Sequence, residues 1–157
     1  MQEMLENKLI VFLINESEYA ISVDQVGSIE RVLPITRVPS TPKYVKGVIN
    51  LRGVITPVID LKEKLHQEST EFTDQTRILI VHMDTITIGL IVDSANDVVD
   101  VQTDEIEPPP ETVESEVMDY IDGVIKRPKR LFILLNIKRL LNIMNQKEEV
   151  KSTSEVK

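Results

Sequence analysis

Cysteine is absent from all 157 residues, so neither a disulfide framework nor thiol chemistry is available, which fits a reducing compartment. Histidine is nearly absent. His66 and His82 have no neighbours at metal-ligand spacing, and His82 lies in an apolar run where a structural or surface role is expected. Five glycines, scattered singly, supply no phosphate-cradling loop. No apolar run approaches the ~20 residues that span a bilayer. The N-terminus also lacks the basic segment, apolar stretch and cleavage site of an export signal. With 26 acidic and 18 basic residues the formal charge is −8, which argues against general nucleic-acid binding. Asp93, Asp97 and Asp100 alternate with apolar residues as turn and surface positions do. The Asn15-Glu16-Ser17 sequon is idle without export. These absences predict a soluble cytoplasmic protein with no enzymatic centre, metal or cofactor, and no insertion into a membrane.

What the chain has is repetition. Tyr44-Val45-Lys46-Gly47-Val48-Ile49 matches Tyr120-Ile121-Asp122-Gly123-Val124-Ile125 without a gap. In the same register Pro57-Val58-Ile59-Asp60-Leu61-Lys62 falls on Ile133-Leu134-Leu135-Asn136-Ile137-Lys138, and Leu65 on Leu141. Leu9-Ile10-Val11-Phe12 matches Ile78-Leu79-Ile80-Val81, Ala20 to Asp24 matches Gly89 to Asp93, and Ile29 matches Val98. The offset is 69 residues in the first part and 76 in the second. The seven extra residues of the second copy therefore fall between Val98 and Tyr120, around Pro108-Pro109-Pro110.

Each copy reads as about five short strands. Leu9 to Ile14 and Tyr19 to Ile21 flank a turn, Asp24 is placed to cap a short helical turn, and Ile29 to Leu33 forms another strand. Pro34, Pro39 and Pro42 keep residues 34–43 irregular. Gly47 to Leu51 and Val54 to Leu61 follow, around a turn at Arg52-Gly53. Such strands are too short and numerous for an open parallel sheet and suit small barrels of the SH3 type. Consecutive Val, Ile and Leu indicate strands covered on both faces, with one lobe packed on the other. Helical spacing is read only near the end, where Ile137, Leu140, Leu141 and Met144 follow Asn136. Residues 145–157 form a polar tail with too little apolar content to pack. The cluster Lys126-Arg127-Pro128-Lys129-Arg130 reads as a solvated hairpin turn, with contact to an acidic protein partner as the alternative.

Gly47-Val48-Ile49-Asn50-Leu51-Arg52-Gly53, followed by Pro57-Val58-Ile59-Asp60-Leu61, resembles the signature of the CheW family of bacterial chemotaxis coupling proteins. Glu18 to Ile21, Thr36 to Pro39, Tyr44 to Lys46, Gly89 to Asp93 and Leu134 to Ile137 extend the resemblance over about residues 8–143. It implies an all-β fold of two five-stranded SH3-like barrels with short helices and a C-terminal helix. The units are expected at about 8–70 and 77–143, with strand exchange between barrels left open. It also implies an adaptor without enzymatic activity, joining cytoplasmic tips of methyl-accepting chemoreceptors to the regulatory domain of the histidine kinase CheA. Other CheW-like modules are implied as array partners at the inner face of the membrane. Carried over by position, the receptor groove would include Val26, Ser28, Gly47, Arg52, Ala95 and Val98. The kinase would contact Ile35, Val38, Pro110, Thr112 and Val113. Relatives often carry an acid where this chain has Ser28, so an ion pair from Arg52 would need Glu30 as its substitute; pairing with Asp60 or with carbonyls, to pin the turn, is the structural alternative. A CheV-type protein shares the module but adds a receiver domain, for which a chain ending at Lys157 leaves no room.

Overall fold

The computed structural model describes residues 6–110 and 118–141. Thr112, Val113, Met144 and the polar tail of the sequence reading lie outside them. The described strands are β1 (Glu6–Ile14), β2 (Ser17–Ser22), β3 (Val26–Arg31), β4 (Val45–Leu51), β5 (Val54–Asp60), β6 (Arg77–Met83), β7 (Ile86–Val92), β8 (Ser94–Gln102), β9 (Ile106–Glu107), β10 (Ile121–Arg127) and β11 (Arg130–Leu135). Helix α1 spans Leu61–His66 and α2 begins at residue 137, running to 141 where the description ends. Short 3-10 turns at Val23–Gln25 and Thr103–Glu105 join β2 to β3 and β8 to β9. The first is capped by the Ser22 side chain, which accepts from the Asp24 amide; Asp24 itself is not the cap.

The strands form two sheets, ordered β8-β1-β2-β11-β10-β9 and β3-β6-β7-β5-β4. Neither is one half of the sequence. The β1–β2 hairpin of the first copy pairs with β8 and β11 of the second, and the β6–β7 hairpin of the second pairs with β3 and β5 of the first. The exchange is reciprocal to the residue. Val58 lies beside Gly89 in one parallel pair, and their counterparts Leu134 and Ala20 lie side by side in the other. Likewise Ile29 opposes Leu79, and Val98 opposes Ile10. The spatial units are therefore not residues 8–70 and 77–143 but two barrels that have traded hairpins.

The duplicated motif has a physical reason. Gly47 adopts φ 142°, and a Cβ there would stand 2.0 Å from the Thr36 carbonyl oxygen. Its counterpart Gly123 faces the Glu107 carbonyl at 2.5 Å by the same measure. Both glycines follow a register shift that lets a second backbone close onto the strand, through Thr36–Val48 in one barrel and β9 in the other. The preceding tyrosines act in parallel: the Tyr44 carbonyl accepts from the Asp60 amide, and the Tyr120 carbonyl from the Asn136 amide, both at 2.7 Å. Lys64 lies over both rings, at 4.5 Å and 5.4 Å from the centroids.

Period-two alternation sends neighbouring side chains to different cores, which is why the strands read as continuous apolar runs. Ile78 and Ile80 fill the interior of one barrel with Ile49, Val58 and Ile91. Leu9, Val11, Ala20, Val101, Ile125 and Phe132 fill the other. Leu79, Val81, Leu90, Val92, Phe12, Tyr19 and Ile21 turn the opposite way into the largest cluster, the layer between the barrels. α1 and α2 bring Leu61, Leu65, Ile137, Leu140 and Leu141 to that same layer. α1 was not read from the sequence. Six residues are too few for periodicity, but its Leu61/Leu65 pair aligns with Ile137/Leu141 of α2, which is the signal that would have found it.

Candidate functional site

β3 and β8 are edge strands of the two sheets and occupy equivalent places in the two copies. Each carries an irregularity at the same point, leaving Gly27 and Asn96 as the unpaired residues of the bulges. Directly opposed residues of an antiparallel pair share a face. Ile29 opposes Leu79, and Val98 opposes Ile10, which itself opposes Ile21, so both project on the side of the layer between the barrels. Ile29 is nevertheless 42% exposed and Val98 57% exposed. Val26 and Ala95 pack half-buried against the same layer. These four side chains mark the margin where the inter-barrel core opens to solvent, two from each copy.

The sequence-predicted groove residues thus divide. Val26, Ala95 and Val98 lie on this margin. Ile29 lies there too, and its alignment with Val98 is the sequence signal for it. Ser28 lies on the other face of β3, opposite Ile80 of the barrel interior. Gly47 is buried against Thr36 and has a backbone role. A cleft of about 520 Å³ lined by Ser22, Gln25, Met83, Leu134 and Asn136 among others contains none of the predicted residues.

Ser28 and Glu30, two apart on one strand, stand on one face, and the Ser28 hydroxyl donates to the Glu30 carboxylate. Arg52 Nη2 reaches the same carboxylate at 2.9 Å. Arg52 sits at φ 52° and Gly53 at φ 90° in the two-residue turn between β4 and β5, with the Asn50 side chain accepting from the Gly53 amide at 2.7 Å. Glu30 is therefore the acid that meets Arg52, and the alternative pairing with Asp60 is not formed. Asp60 is fully buried and accepts from the Thr70 amide and hydroxyl, each at 2.7 Å, and from the Glu63 amide at 3.3 Å.

The hydrogen bond from Ser28, and after it that from Arg52, holds the Glu30 carboxyl below its ordinary range. A depressed carboxyl contributes stability that is present above its unfolded pKa and lost as pH falls through its folded one. In Arg52→Ala, the Glu30 titration followed by NMR is expected to move back toward the ordinary value, so its protonation begins at higher pH. Because Arg52 is two-thirds exposed, stability at neutral pH is expected to change by less than about 1 kcal/mol. A larger loss would mean that the pair pins the turn.

The basic cluster at the β10–β11 turn is largely engaged within the fold. Arg130 contacts Glu18 at 2.6 Å and Asp97 at 2.9 Å and stacks on Phe132, tying β11 to β2 and β8. Its two carboxylate partners raise the guanidinium pKa further. Arg127 pairs with Glu105 at 3.1 Å and Lys126 with Glu107 at 3.2 Å. His82 bonds Thr87 at 2.9 Å and His66 bonds the Tyr19 hydroxyl at 3.1 Å.

Of the expected kinase contacts, Ile35 is half-buried against a barrel interior, while Val38 is 39% exposed and lines a concavity with Arg37, Lys43 and Lys46. Pro110 is exposed at the end of the first described stretch.

The sequence profile of the CheW-like domain matches residues 8–144. The chain is 47% identical over 135 residues to Chemotaxis protein CheW of Bacillus subtilis strain 168, covering 86% of each chain. It is 33% identical over 140 residues to Chemotaxis protein CheW of Helicobacter pylori, covering 89% of this chain and 83% of that one. The crystal structure of the scaffolding protein TtCheW from Thermoanaerobacter tengcongensis superposes with a TM-score of 0.75 at 33% identity, over 83% of this chain and 84% of that one. With two SH3-like barrels joined by exchanged hairpins and a match spanning nearly all of the described residues, this chain belongs to the CheW-like family.

Proposed function

We propose that this protein is a cytoplasmic chemotaxis adaptor that couples transmembrane chemoreceptors to the histidine kinase CheA within receptor arrays. The observation that carries the reading is the solvent-open apolar margin of Val26, Ile29, Ala95 and Val98, contributed equally by two equivalent strands. An amphipathic helix needs such a strip, with polar residues on either side to exclude lateral slippage. The helical tip of a chemoreceptor is the occupant assigned to it. Ser28 and Glu30 stand on the far face of β3, where Arg52 reaches Glu30 from the signature turn, outside the apolar margin. The kinase's regulatory domain is assigned to the surface around Ile35 and Val38 and to the segment from Pro110 through Thr112 and Val113. Family relatives named as chemotaxis and scaffolding proteins support an adaptor in place of an enzyme. A CheV-type assignment has no comparable support.

Reconstitution tests the reading. Receptor tips and CheA are expected to show stimulus-controlled kinase activity only when this chain is added. Labelled phosphate is expected to remain on the kinase and its response-regulator substrate, with none transferred to this protein. Receptor control that is unchanged without the chain would sink the assignment, as would stoichiometric labelling of it.

A further inference from the structure

At one end of the apolar margin two arginines stand side by side. Arg31 closes β3 and directly opposes Arg77, the first residue of β6, on the face shared by Ile29 and Leu79. Arg77 Nη1 donates to the Asp74 and Thr76 carbonyls, both at 2.8 Å, which fixes the guanidinium at the strand end. Arg31 is exposed, and among the described residues neither guanidinium has a carboxylate partner. The nearest acid along the strand, Glu30, projects to the other face and is engaged by Arg52. Like charges opposed across a strand pair destabilise it. The equivalent position of the other barrel is occupied by Lys8 and Asp100, which neutralise each other at 2.7 Å. The two equivalent positions of an otherwise symmetrical margin therefore differ: one dibasic and open, one paired.

We propose that Arg31 and Arg77 form a receptor for acidic side chains on the helix that docks along Val26, Ile29, Ala95 and Val98, and that they decide which way round it lies. The proposal rests on the groove reading above. Ile29 and Val98 are equivalent by the hairpin exchange, as are Val26 and Ala95, so apolar contact presents nearly the same surface to a helix and to its reverse. Orientation then has to come from charge, and the dibasic end accepts an acidic terminus that the paired end does not. A net charge of −8 repels an acidic segment from most of the remaining surface, which sharpens the choice.

The test uses the full chain and two amphipathic helical peptides with one apolar stripe, one carrying three glutamates at a single end and the other three lysines there. Calorimetric titration at low salt is expected to show the glutamate peptide binding about ten-fold more tightly than the lysine peptide, with the gap narrowing in high salt. The double variant Arg31→Glu/Arg77→Glu is expected to reverse the order. Arg31→Glu alone is expected to weaken the glutamate peptide while keeping or raising the melting temperature, because it opposes Arg77 with an acid; a merely structural arginine would not separate the two readouts. A nitroxide on the glutamate end should broaden the amide of Arg77 and spare that of Lys8. Equal affinity for the two peptides, a preference that survives the double reversal, or displacement of the glutamate peptide by phosphatidylglycerol vesicles would overturn the assignment. Val98→Asp separates this from failure of the groove itself. If it weakens both peptides, the groove stands and only the charge assignment is on trial; if it weakens neither, the groove reading falls and takes the proposal with it.

Discussion

Asp60→Ala is expected to cost about 3–5 kcal/mol of stability. The carboxylate is fully buried, caps α1 through the Glu63 amide, and holds the Thr70 amide and hydroxyl at 2.7 Å. Truncation strands these donors in a site that water does not reach, removes a helix cap, and frees the segment that leads from α1 to β6. For a chain of this length the melting temperature should fall by roughly 10 °C or more. Asp60→Asn retains one acceptor oxygen and should lose about half as much. A melting temperature within two or three degrees of wild type in Asp60→Ala would show that the Thr70 contacts are replaced without penalty. The same change at the counterpart Asn136, whose side chain caps α2 through the Arg139 amide at 2.8 Å, should be milder because that site is not fully buried.

Val98→Asp is expected to leave the fold intact and to weaken receptor-tip binding by roughly 2–4 kcal/mol, about thirty-fold to a thousand-fold in Kd. Val98 is more than half exposed in the free protein, so a carboxylate there is solvated until a helix covers it. Desolvation under the helix is then uncompensated, and receptor control of the kinase should fail with it. Val26→Asp is the poorer probe. Val26 already packs against the inter-barrel layer, and a buried charge there would destabilise the protein before any partner arrives. Wild-type affinity in Val98→Asp, with an unchanged melting transition, would move the docking site away from β8.

The two kinds of information in the sequence were unequally legible. Duplication could be read because Gly47 and Gly123 must each admit a carbonyl where a Cβ would sit, so Tyr-x-x-Gly survives at fixed spacing. The exchange of hairpins left no local mark. A strand's residues specify which face is buried, and the two copies present nearly the same pattern, so either pairing satisfies it. The sequence reading sets the third strand three residues late at its start and two at its end, over Ile29 to Leu33 where the structure has Val26–Arg31. At the site, period-two logic explains both a gain and an error. Glu30 shares a face with Ser28 and so meets Arg52 as their spacing allows. By the same rule Ser28 could not join Ile29 on the margin. Asp60 is not available to Arg52 because its carboxylate is engaged by Thr70, which lies beyond α1 and outside the sequence pattern of the hairpin.

The traded hairpins give the molecule the geometry of a swapped homodimer whose two copies have become one chain. In a dimer of identical subunits every change is made twice, and a basic pair at one end of the groove would be answered by another at its mirror position. Fusion lifts that obligation. One copy can keep Arg31 beside Arg77 while the other places Asp100 beside Lys8, and one can insert seven residues that the other lacks. The segment linking α1 to β6 is thus what converts a symmetrical cradle into one with a direction, a property that two separate copies of either half would be unable to acquire.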